Sequence, residues 1–133
     1  MFSSLWVAYP LYSATMGGTR DGSWVKNSSI PDNKQINIWT SSYGVNVGST
    51  SNDGYDSSAN LYARGHQIPD ADRSGDAEMQ AQTYYATNST PQIQNGFNGG
   101  IWSSLEDAVR TVASATDTIY VATGPTFQKK RWQ

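Results

Sequence analysis

FNGGIWSSLEDAVRTVASA, residues 97–115, decides how the chain is read. Trp102, Leu105, Val109 and Val112 recur at helical spacing, so residues 98–115 predict a helix with one apolar face. Glu106 stands eight residues beyond Asn98. That is about 80° around a helix axis and about two turns along it, so both side chains can face one cleft. Glu106 and Arg110 fall at i, i+4, the spacing of a helical side-chain pair. Trp102, Leu105 and Val109 are assigned to the core.

Moving outward, TIYVAT (118–123) reads as a buried strand closed by Gly124-Pro125. On the other side, Ser74 ahead of GDAEMQAQ reads as the N-cap of a short helix over about 75–84, with YYAT (84–87) as a short strand after it. LWVAYPLY (5–12) is aromatic and β-branched, but Pro10 lacks a ladder donor, so the strand belongs at a sheet edge and ends by Ser13. Residues 13–60 are dense in Gly, Ser, Thr, Asn and Asp, broken only by the short extended runs INIW (36–39) and YGVNV (43–47). Trp24, Ile30, Trp39 and Tyr43 are expected to hold this excursion against the body. Strands and helices in this order give an α+β class.

The chain has 133 residues, enough for a single domain spanning 1–133 with a real core. Cysteine is absent, which removes disulfide scaffolds, thiolate zinc sites and cysteine nucleophiles. Histidine occurs once, at His66, so multi-histidine metal cages are excluded and one imidazole remains for proton transfer near neutral pH. A net charge of -2 argues against a broadly basic nucleic-acid coat but leaves room for a local basic cleft. No stretch is long and apolar enough to span a membrane, and MFSSLWV lacks the pattern of a leader peptide. Low charge and abundant Trp and Tyr resemble secreted, periplasmic or cell-surface proteins.

The candidate site gathers around RGHQIP (64–69), TNSTPQ (87–92) and FNGGIWSSLEDAVR (97–110). Taken singly, His66 reads as a structural histidine, Glu106 and Arg110 as a solvated pair, Asn98 as a helix cap and Arg20 as a loop charge. Taken in order, the three motifs resemble the DNA/RNA non-specific endonucleases, a ββα-metal family. LWVAYPL and Thr19-Arg20 before Trp24 extend the resemblance from Leu5 to about Pro125. The resemblance implies a ββα-metal core in a mixed layered α/β domain. It implies His66 as general base, Asn98 as ligand of one Mg²⁺ (Mn²⁺ able to stand in) and Glu106 holding metal-bound water. It also implies Arg20, Arg64 and Arg110 beside the phosphate, Asn88 in the active site, and DNA and RNA cut to 5′-phosphate ends. Phosphodiester hydrolysis needs an activated water, neutralised phosphate oxygens and help for the leaving alkoxide, which these residue types can supply.

The chain departs from the family at Ala63, where an acidic residue usually precedes Arg-Gly-His. It also lacks family chain at both ends, so a second chain or fragment is expected to complete the fold, with Phe127 and Trp132 marking the contact. The competing readings are a catalytically silent protein of the same fold and an extracellular binding module built on exposed aromatics. Asp70-Ala-Asp72-Arg-Ser74-Gly75-Asp76-Ala-Glu78 imitates the start of a calcium loop, but position 12 is Ala81 instead of the bidentate Glu. Asn27-Ser-Ser and Asn88-Ser-Thr are glycosylation sequons in form; a glycan on Asn88 would block the expected cleft.

Overall fold

Alternation along VAYPL turns Tyr9 and Leu11 inward and leaves Ala8 and Pro10 exposed, giving strand β1 (Val7–Leu11). The computed structural model describes residues 3–36, 38 and 62–126. Strand β4 (Ile119–Thr123) runs antiparallel to β1, with Val7 opposite Thr123 and Leu11 opposite Ile119. Pro10 is tolerated because β1 has a strand partner on one side among the described residues. The expected burial of the last strand is corrected here. This two-stranded sheet is covered on one face, so Ile119 and Val121 turn to the core while Tyr120 is 85% exposed.

A second antiparallel pair joins β2 (Tyr62–His66) to β3 (Ser89–Ile93), with His66 opposite Ser89 and Gly65 opposite Thr90. The strand expected at 84–87 does not form. Val25 donates to the Tyr84 carbonyl and accepts from the Ala86 amide, while residues 86–88 close a tight helical turn. Their backbone groups are thereby occupied, and pairing starts at Ser89.

Between the two strands of this pair lies α1 (Ala77–Thr83). Its cap is Asp76, whose Oδ1 accepts from the Met79 amide at 2.9 Å. Ser74 is unavailable for capping because its hydroxyl donates to the Ala71 carbonyl and accepts from the Gly18 amide. Gly75 marks a close approach of two backbones, since a Cβ there would lie 2.4 Å from the Ala14 carbonyl oxygen.

The long periodic segment forms in two stages. Gly96, at φ 79°, turns the chain out of β3 into wide helical turns reaching Trp102, and regular helix α2 (Ser103–Ala115) follows. Asn98 therefore sits inside a helical stretch and is not a cap. Ala113 and Val109 of α2 meet Tyr9 and Leu11 in the main core, with Val7, Met16, Ile68, Ile119 and Val121 around them. Burial of each large apolar side chain there is worth about 1.5–3 kcal/mol. Trp102 and Leu105 fall outside that core: Trp102 is half-buried and stacks on Phe97, and Leu105 is 51% exposed.

Part of the irregular excursion is held down as expected. Trp24 and Ile30 are half-buried, and the buried Gln35 side chain ties the Asn27 and Ile30 carbonyls and the Asn27 amide into one turn. Trp39, Tyr43, the run at 43–47, Phe127 and Trp132 lie outside the described residues. Among the described residues no helix is long and apolar enough to cross a membrane.

Candidate active site

Side chains two apart on a strand share a face, so Arg64 and His66 of β2 point together, away from the face of Ala63 and Gly65. Arg64 is buried, and its Nε has no hydrogen-bond partner among the described residues. The His66 ring lies 4.5 Å from Trp24, tilted, and 5.0 Å from Tyr84, edge to face. Tyr84 in turn accepts from Arg20 Nε at 3.0 Å, so one buried phenol touches the imidazole and the arginine together. Burial pushes the Tyr84 phenol up to about 12, against the lowering influence of Arg20. Gly22 crosses the Tyr84 ring so closely that a Cβ would come 2.1 Å from it, which explains a glycine there.

The strand exit after His66 is fixed by Asn88. Its Oδ1 accepts from the Ile68 amide, and its Nδ2 donates to the carbonyls of Ile68 and Thr83, all within 3.0 Å. Asn88 is therefore turned inward; it holds the histidine loop and does not line the cleft. On the facing wall, Asn98 Nδ2 donates to Gln94 Oε1 at 2.8 Å, across the bend at Gly96, and so directs its own Oδ1.

Arg20, Arg64, His66, Asn98, Glu106 and Arg110 surround one polar cleft of about 400 Å³, with Gln94, Asp70 and Ser103 beside them. Arg110 acts on Glu106 through its charge, as the i, i+4 spacing suggests, but its hydrogen bonds go to Asp72 Oδ1 at 2.9 Å and to Asp107. Three carboxylates of the calcium-like sequence are committed to protein donors, Asp70 to Gln80, Asp72 to Tyr9 and Arg110, and Asp76 to the Met79 amide. Sequence reading missed Tyr84, Trp24, Gln94 and Asp72. Spacing carries no signal for the first three, and the fourth was absorbed into the calcium-like pattern.

A model of the DNA/RNA non-specific endonuclease family matches residues 3–132. This chain belongs to that family. The mitochondrial Nuclease 1 of Schizosaccharomyces pombe is 37% identical over 70 residues, which is 53% of this chain and 22% of its own length. A nuclease of Nostoc sp. is 31% identical over 121 residues, 90% of this chain and 38% of its own length. This endonuclease-family chain thus spans well under half of either relative. A chain in the crystal structure of the EndoG/EndoGI complex matches 90% of this chain and 44% of its own, with a TM-score of 0.66 and 24% identity. At that identity the likeness establishes a shared fold.

Burial raises the Glu106 carboxyl in this endonuclease fold to about 7, with Arg110 opposing and Asp72 adding to the rise. The unfolded chain releases that proton near its ordinary value, so between the two the folded state binds more protons and stability falls as pH rises. Glu106→Gln is therefore expected to raise the melting temperature of metal-free protein at pH 8. The gain corresponds to about 1–2 kcal/mol, reduced from the full shift because the group is only partly buried, and it vanishes below about pH 4.5. Thermal melts at both pH values decide it; equal gains at both would place the cause elsewhere than in the carboxyl's charge.

Proposed function

We propose that this chain carries the catalytic centre of a metal-dependent endonuclease that hydrolyses DNA and RNA phosphodiesters with little regard to sequence. The supporting observation is the meeting of one imidazole, three guanidinium groups and the Asn98 and Glu106 oxygens in a single cleft. In this reading β2, β3 and α2 serve as the ββα-metal core.

Among the described residues no three His, Asp or Glu side chains gather as a metal cage, so a cation would rest on few protein ligands. Mg²⁺ suits such a site because it retains several waters and prefers hard oxygen donors; Mn²⁺ can replace it. With Nδ2 engaged by Gln94, Asn98 has Oδ1 to offer, and Glu106 brings a half-buried carboxyl that nearby positive charge would help to ionise. The residues fit the ion, and when bound it supplies charge neutralisation at a phosphate oxygen and at the leaving alkoxide.

His66 takes a proton from the attacking water as its oxygen bonds to phosphorus. Trp24 and Tyr84 fix the plane of its ring. Arg20, Arg64 and Arg110 face the nonbridging oxygens and neutralise their charge. The bond to the 3′ oxygen breaks, leaving a 5′-phosphate. Contacts to phosphate carry no base information, hence the breadth of substrate. Nicking of supercoiled plasmid and cleavage of single-stranded RNA are expected with Mg²⁺ and not with EDTA. Cleavage that survives EDTA would overturn the metal dependence. Oligonucleotide binding without any cleavage would identify a silent protein of this fold, the reading that Ala63 favours.

Ala63 is fully buried, opposite Gln92, whose Oε1 is buried with no partner among the described residues. Ala63→Asp places a carboxyl beside that carboxamide, which can turn its amino group toward it. An unmatched buried group costs about 1–3 kcal/mol. If bracing β2 recovers about 1.4 kcal/mol of transition-state stabilisation at His66, the rate rises about tenfold. No gain, or a loss, in matched plasmid assays would show that the missing carboxylate limits nothing.

A further inference from the structure

Arg110 reaches the cleft from α2 with three carboxylates within its range: Asp107 and Glu106 on its own helix, and Asp72 from the turn after β2. Its Nη1 donates to Asp72 Oδ1 and its Nη2 to Asp107. The two partners are unequal. The Asp72 side chain is 2% exposed and that of Asp107 71%. Attraction between charges is screened little in the interior and heavily at the surface, so the Asp72 contact dominates.

Asp72 is itself fixed from behind. Tyr9 of β1, buried in the main core, donates its hydroxyl to Asp72 Oδ2 at 2.6 Å, and the Arg73 guanidinium lies 5.0 Å from the Tyr9 ring centre. The chain Tyr9–Asp72–Arg110 thus runs from the core to the wall of the cleft. Each oxygen of Asp72 has its own donor, which leaves the carboxylate one orientation.

We propose that Asp72, locked by Tyr9, is a positioning residue that holds the Arg110 guanidinium at the cleft. Asp72 does not touch substrate. It sets where the third arginine of the cleft presents its charge. Only the kinetic part of the test rests on the nuclease reading.

The test uses the full chain, ¹⁵N-labelled and metal-free, with the Arg110 guanidinium signals assigned by their loss in Arg110→Lys. In the parent, rotation about the Arg110 guanidinium bonds is expected to be slow enough for its two Nη signals to be resolved. Asp72→Asn is expected to merge them, whereas Asp107→Asn leaves them apart. Should Asp72→Asn fail to fold, Tyr9→Phe, which keeps the ring and removes the hydroxyl, is expected to speed the rotation. Signals unchanged in whichever variant folds would overturn the proposal. In the kinetic part, Asp72→Asn is expected to lower kcat about tenfold with KM little changed, and less than about threefold when Arg110 is already Ala. Equal losses in both backgrounds would reduce Asp72 to a general structural role and overturn the assignment. A chain without cleavage activity would count against the nuclease reading alone, since the guanidinium signals still decide the positioning.

Discussion

His66→Ala is expected to lower plasmid nicking at least about 100-fold, the ordinary weight of a positioned general base. No second imidazole exists to take over. Another group in the cleft with a proton affinity near neutrality is Glu106, at about 7, so any residual rate should fall again in the double variant His66→Ala, Glu106→Gln. The imidazole also fills space between Trp24 and Tyr84, so the variant will melt lower than the parent. Rates must therefore be compared well below both melting temperatures. Equal rates for parent and variant would remove His66 from the chemistry.

Asn98→Ala should shift the Mg²⁺ concentration for half-maximal cleavage upward by at least about tenfold and lower the maximal rate as well, since a site with few protein ligands has little to replace a lost one. Gln94→Ala tests the same point more gently. It leaves the Asn98 oxygen in place but releases the hydrogen bond that directs it, so the shift should be in the same direction and smaller. Mn²⁺ binding followed by electron paramagnetic resonance gives an answer without turnover. An unchanged midpoint in Asn98→Ala would move the ligand to another residue.

The parts of the fold that follow a simple period were legible. Helix α2 was legible from its apolar repeat and β1 from its aromatic and β-branched residues, although of the repeat residues Trp102, Leu105, Val109 and Val112 only Val109 packs on the main core among the described residues. The β2–β3 pair was not visible, because YARGH and STPQI carry cleft and loop-anchoring groups where a core strand would carry apolar ones. The start of α1 was displaced by Ser74, a residue with good capping chemistry whose hydroxyl a distant amide, that of Gly18, already holds. Leu105 was assigned inward by period alone, yet α2 meets the described core along the side of Val109 and Ala113. In the site, six of seven expected residues line one cleft, and Asn88 works from behind it. Tyr84 and Asp72 were hidden for one reason: their importance lies in long-range contacts to Arg20, His66, Tyr9 and Arg110, and single-sequence spacing records only local neighbours.

The segment carrying Arg20 has no regular secondary structure, yet it is stitched along its length to α1 and the turns beside it. Gly18 bonds to Ser74, the Thr19 carbonyl to Gln80, Arg20 to Tyr84 and Val25 to Tyr84 and Ala86. Its freedom is therefore lost when the protein folds and not when a ligand arrives. A loop ordered in this way presents its guanidinium preorganised, so under the proposed function phosphate capture need not include the entropy of arranging a mobile arm. The same stitching means that the arm does not swing independently of the histidine. Local loosening of α1 would misplace Arg20 and the wall of the imidazole together, which makes the site respond to such loosening as one cooperative unit.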